Sequence, residues 1–139
     1  MKFIFEEKFM ALTDETRNEI LSIIKSVLEK LSPPMVITKN GEKGIELIGN
    51  KAVPYGSKKI IVPGMYFCSA VARKDMVSFY FFPIYMANKE FIDLIPTMKK
   101  TLKGKTCFNI KKIEQIDKKE LFALVKKGVS VWKKLGYMK

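Results

Sequence analysis

The side chains best suited to chemistry in this 139-residue chain are few. They are two cysteines, Cys68 and Cys107, two arginines, Arg17 and Arg73, and the hydroxyls and aromatics of residues 65–83. Histidine is absent. Its absence removes the commonest general base and metal ligand, and it excludes Ser-His-Asp, Cys-His and His-based zinc chemistry. Two separated cysteines cannot build a four-thiolate site. A paired-carboxylate centre needs two acids in one pocket, whereas the acids here fall mostly on expected helix surfaces. Gly104-Lys105-Thr106 matches the end of a phosphate-binding loop. However, Lys99 stands where the earlier glycine is required, and a strand follows where a helix is required. It reads as a helix stop before a strand. Nothing in the chain calls for a cofactor or a resident metal, and an enzyme is not the expected reading.

What remains is a binding surface. Residues 65–73 and 76–82 are two apolar runs flanking Lys74-Asp75, which predicts a hairpin with a two-residue turn. Residues whose numbers sum to 149 then face each other, and alternation sorts the two faces. Tyr66, Cys68, Ala70 and Ala72 beside Val77, Phe79 and Phe81 make a core-like face, small residues against large. The other face would carry Met65, Phe67, Ser69, Val71 and Arg73 beside Met76, Ser78, Tyr80 and Phe82. The candidate ligand-binding set is Phe67, Ser69, Arg73, Tyr80 and Phe82 on that second face, joined by Cys107 and Asn109 from a neighbouring strand. So apolar a face, if open, calls for a cover: a helix, a second subunit, or a small ligand or protein partner. Cys68 is expected to be a buried, inert thiol.

Other elements must hold that hairpin in place. Thr13 can cap a helix whose first turn carries Asp14 and Glu15, and Ile20, Ile23, Ile24, Val27, Leu28 and Leu31 give it an apolar face. Ser32-Pro33-Pro34 ends it. Residues 35–38 and 44–48 read as strands around Asn40-Gly41. Residues 49–64 read as loop, with one edge strand at 59–62. Asn88 can cap a short helix over 89–95, and Thr97 another over 98–103 that stops at Gly104. Residues 106–110 read as a strand. Asp117 opens a final helix to Leu135, ended by Gly136. Leu121, Leu124, Val125, Val131, Trp132 and Leu135 face the core, and Lys119, Lys126, Lys127, Lys133 and Lys134 form a solvated arc. Gly128 within the apolar stripe implies close packing of that helix on the sheet. The fold class is therefore α+β, an antiparallel sheet packed by N-terminal and C-terminal helices, and the length suits one domain over residues 1–139.

Composition bounds the partners. Residues 1–50 hold 7 Lys/Arg and 8 Asp/Glu, a net of −1, whereas residues 51–139 hold 19 and 6, a net of +13, which together give the overall +12. Only two of the 26 basic residues are Arg. Bidentate reading of bases favours Arg, so no sequence-specific nucleic-acid site is expected, and any polyanion binding should be weak and sequence-independent. The most apolar run, residues 79–87, is about half the ~20 residues a spanning helix needs. Residues 1–12 lack an export h-region. These features, with two cysteines, point to the cytoplasm without membrane attachment.

Met65-Tyr66-Phe67, Val77-Ser78-Phe79-Tyr80-Phe81, Leu102-Lys103-Gly104-Lys105-Thr106-Cys107-Phe108 and the closing Lys-rich helix together resemble the YdhG-like family. The resemblance covers residues 65–136 and, loosely, the first helix. It implies a compact α+β fold with an antiparallel sheet. Some members are described as frataxin-like iron chaperones, which makes iron carriage an alternative function. Iron delivery wants clustered carboxylates, and residues 51–139 supply only Asp75, Glu90, Asp93, Glu114, Asp117 and Glu120 among many lysines. Many relatives carry a Trp-x-x-Pro element before the hairpin; this chain has Ala52-Val53-Pro54-Tyr55 there, with no Trp.

Overall fold

The computed structural model describes residues 13–139; residues 1–12, on which the export reading rests, lie outside the described residues. The fold is α+β. It begins with helix α1 (Asp14–Glu29), whose N-cap Thr13 accepts from the Thr16 amide at 3.2 Å. Ile20, Leu21, Ile24, Val27 and Leu28 point to the core, as the 3–4 spacing requires.

The strands follow. β1 (Val36–Gly41) and β2 (Gly44–Ile48) form a hairpin, then β3 (Val53–Tyr55) pairs with β4 (Ile60–Val62) as a separate ribbon. β5 (Tyr66–Ala72) and β6 (Val77–Phe81) form the central hairpin. After two short helices, α2 (Pro83–Met86) and α3 (Asn88–Ile92), a 3-10 turn leads into β7 (Leu102–Lys103) and β8 (Cys107–Ile110). Helix α4 (Lys118–Lys134) closes the fold. The large sheet is antiparallel throughout, in the order β1-β2-β5-β6-β8-β7.

Both long helices belong to one core. α1 packs on β2, β5 and β6 and also against α4. α4 starts at Asp117, whose carboxylate accepts from the Glu120 amide at 2.9 Å, and ends before Gly136, which adopts φ +82°. Gly128 explains the close approach of α4: a Cβ there would stand 2.5 Å from Phe81 Cζ and 3.0 Å from a Phe67 ring carbon. No helix among the described residues is long and apolar enough to cross a membrane.

Several expectations need correction. The β1–β2 turn is Glu42-Lys43, because Asn40 and Gly41 pair with Ile45 and Gly44 inside the ladder. The segment before β5 holds two strands instead of one, and the β3–β4 ribbon leaves Ile60 and Ile61 about two-thirds exposed at 64% and 66%. α3 is shorter than the expected 89–95. Asn88 lies within it and makes no capping bond. Thr97 does not cap either. The carboxylate of Glu120 takes that role from α4, accepting from the amides of Thr97 (3.0 Å) and Met98 (2.9 Å). Residues 102–103 leave the helix to pair with β8 as an edge strand.

Candidate binding face of the sheet

The register of the central hairpin matches the sum-of-149 rule: Cys68 opposes Phe81, Ser69 opposes Tyr80, and Ala72 opposes Val77. The Arg73 amide donates to the Met76 carbonyl at 2.8 Å, so Lys74-Asp75 is the turn. Adding β2 and β8 extends the rows across four strands. Glu46, Ser69, Tyr80 and Cys107 stand in one row, and Gly44, Val71, Ser78 and Asn109 in the next. Alternation places both rows on the face away from α1.

Of the expected set, Ser69, Arg73, Tyr80, Cys107 and Asn109 are brought together there. Phe67 and Phe82 are not. The pairing of β2 with β5 slips by one residue between Leu47–Cys68 and Ile48–Tyr66. This bulge inserts Phe67 as an extra residue and turns it to the core side. Phe67 is fully buried, edge-on to Phe81 at 5.5 Å and to Trp132 at 5.7 Å. Met65 is buried too, and its carbonyl accepts from the Trp132 indole at 3.4 Å. β6 ends at Phe81. Phe82 turns into the helical region, and its ring lies between Trp132 (5.8 Å) and Tyr66 (6.2 Å). Three of the large apolar groups expected on this face, Met65, Phe67 and Phe82, therefore leave it. A polar, half-exposed outer face is ordinary for an antiparallel sheet, so the argument that an apolar surface demands a cover no longer applies.

The same bulge brings in Tyr66, which alternation assigns to the core. Its hydroxyl lies 2.5 Å from Ser69 Oγ. Tyr66 and Phe67 are both aromatic neighbours, so no periodic signal in the sequence chooses between them. Glu46, bonded at 2.6 Å by the Thr38 hydroxyl, is a further member of the face that the hairpin pattern alone does not reveal.

At the other end of the face the polar groups form one chain. Arg73 donates from Nε to Ser78 Oγ at 3.1 Å and from Nη2 to Tyr80 Oη at 2.7 Å. Ser78 and Cys107 both donate to Asn109 Oδ1 at 3.3 Å. Ser78, only 2% exposed, is thereby satisfied although neighbours shield it. Burial raises the Cys107 thiol, opposed by the Tyr80 hydroxyl and by the charge of Arg73. Burial pushes the Cys68 thiol and the Tyr66 phenol up as well. All three stay protonated near neutrality, so neither thiol is an activated nucleophile.

Among the described residues no three Cys, Asp or Glu side chains converge as a metal site would require. The one ion pair among them joins Arg17 to Asp14, so Arg73 has no carboxylate partner in that set. Comparison with known protein families, with curated proteins and with solved structures returned no match for this chain.

Proposed function

We propose that the protein is a non-enzymatic binding module that recognises an acidic protein partner through the open sheet face, with Arg73 and Tyr80 as anchors. One observation carries the reading. Arg73 is one of two arginines in the chain. Its guanidinium is held in place by two hydroxyls, and no described carboxylate neutralises it. Arg and Tyr are the side chains that most often dominate interface energetics, and an oriented guanidinium loses little freedom when it meets a carboxylate. The rows spanning four strands suit a macromolecular surface better than an enclosed ligand. A second copy of the chain is a poor occupant, since each brings a net charge of +12. The absence of histidine, two protonated thiols and scattered acids support a role without catalysis. The reading includes the YdhG-like resemblance, supported by the order of hairpin, Pro83, short helices, Gly104-Lys105-Thr106 strand and terminal helix.

Titration of 15N-labelled protein with a Glu-rich heptapeptide containing one Tyr tests this. Amide shifts should gather at Ser69, Ser78, Tyr80 and Asn109. Arg73→Ala should weaken the affinity at least ~fivefold, and Arg73→Lys should restore only part of it. Shifts spread over the lysines of α4, or equal affinity in Arg73→Ala, would sink the proposal.

A further inference from the structure

Arg73 has a second neighbourhood. Its carbonyl and that of Lys74 accept from Arg17 Nη1 at 3.3 and 3.4 Å. This ties the start of α1 to the β5–β6 turn. Further along α1, Lys25 Nζ donates to the Gly41 carbonyl at 2.8 Å, and Asn40 Nδ2 donates to Glu29 Oε2 at 3.3 Å. These ties hold the helix beside the β1–β2 and β5–β6 turns. Between them lies a cleft of about 1000 Å3. Small-molecule sites commonly measure roughly 300–1,000 Å3.

The α1 wall is a largely polar stripe in which positions 18, 22, 25 or 26, and 29 recur every three to four residues, beside Leu21, and so lie on one side of the helix. A solvated helix face has the same composition in sequence, which is why the pattern gives no signal. Here the stripe lines a concavity. Arg17, Lys25, Lys43 and Lys74 line the cleft against Glu29 and Glu42, and Arg73 meets it through its backbone, its guanidinium being held by Ser78 and Tyr80 on the outer face. Among the described residues, Arg17 alone of these is ion-paired, to Asp14. The remaining three cations, Lys25, Lys43 and Lys74, share a cleft whose helix and turns are tied together by those hydrogen bonds, which limits the ordering cost of binding.

We infer that this cleft is a binding site for a small, multiply charged anion, presenting phosphate or carboxylate oxygens to Lys43 and Lys74. The inference goes beyond the partner surface proposed above and uses different side chains. Lys25 and Arg17 serve mainly to hold the walls, since their donors are engaged by backbone carbonyls. Lys43 and Lys74 are exposed at two neighbouring turns, where the Ala72 amide donates to the Lys43 carbonyl at 2.8 Å, so both can reach one ligand.

Calorimetric titration with inorganic pyrophosphate and, separately, with citrate tests the site, with ionic strength held constant. One-to-one binding is expected, with amide shifts clustered at Ser22, Asn40 and Lys43. The double variant Lys43→Ala/Lys74→Ala should bind at least ~tenfold more weakly. A control, Lys126→Ala/Lys133→Ala on the outer arc of α4, should bind as the native chain does. Binding of pyrophosphate alone assigns phosphate oxygens to the site, and binding of citrate alone assigns carboxylates. Binding of both assigns a general polyvalent-anion site. No saturable binding of either, or an equal loss in the control, overturns the inference. Arg73 is intact in every variant, so the result is independent of the peptide experiment.

Discussion

The two faces of the β5–β6 hairpin are built from alternate residues of the same two strands, yet they are held by different forces. On the core side Phe81 meets the rings of Phe67, Phe79 and Phe91 at centroid distances of 5.5, 6.0 and 5.4 Å, and Phe79 meets Phe108 at 5.8 Å. Volume and close packing specify that face, and α4 can approach it only because residue 128 has no side chain. On the outer side the Phe rings are gone, and the aromatics that remain, Tyr66 and Tyr80, carry hydroxyls that hydrogen-bond. Arg73, Ser78, Tyr80, Asn109 and Cys107 position one another through directional bonds, and no described helix packs over them. The difference separates stability from function. Atoms removed from the core face leave a cavity, whereas water can replace partners on the outer face.

The largest expected effect comes from the core side. Phe81→Ala should destabilise the protein by about 3–5 kcal/mol, the usual cost of removing a buried ring. Denaturant unfolding at equilibrium measures it. A loss below about 1 kcal/mol would mean that the packed face does not behave as a core, and the contrast between the faces would fail.

A smaller effect tests the same face by pH. The Cys68 thiol is raised by burial, with the charge of Glu46 adding to it. The unfolded chain ionises a thiol near pH ~8.5, whereas the folded chain keeps it protonated, so the unfolded state binds fewer protons above that pH. Stability should be intact below about pH 8.5 and fall as pH rises beyond it, by up to about 1.4 kcal/mol per unit from this group. Cys68→Ala should show a shallower decline between about pH 8.5 and 10, whatever its stability at neutral pH. Parallel curves for the two proteins would mean that the thiol ionises freely in the fold.

The hairpin register is legible in the sequence because two apolar runs bracket Lys74-Asp75 and leave one turn that satisfies both. The final helix is legible because Asp117, the apolar stripe and Gly136 agree on its limits. The bulge at Phe67 is not. A one-residue slip leaves the residue types unchanged, and an aromatic stands on either side of the choice. Phe82 precedes a proline, a position that disfavours helical backbone and so suggests an extended strand end. It turns helical at φ −65°, ψ −36° and packs on Trp132 instead. Of the outer face, the contributions of Ser69, Arg73, Tyr80, Cys107 and Asn109 follow from alternation. The cleft does not, because its two turns and helix stripe are separate in sequence and meet only in the folded chain.

The smallest expected effect is the most informative about the outer face. Tyr80 is partly exposed, and its hydroxyl accepts from Arg73 at 2.7 Å. In Tyr80→Asp the new carboxylate stands near a guanidinium that no described acid pairs, on a face that no described helix covers. The lost ring contacts and the gained attraction should nearly cancel, leaving stability within about 1 kcal/mol of the native value and the mass in solution unchanged. A loss of several kcal/mol would show a charge forced out of water, and so a covered face. A fall in solution mass would show that the face had joined two copies. Either outcome would remove the free surface on which the acidic-partner proposal depends. With stability unchanged, the same variant sharpens that proposal: the introduced carboxylate would compete with an acidic ligand for Arg73, so peptide affinity should fall while the fold stays intact.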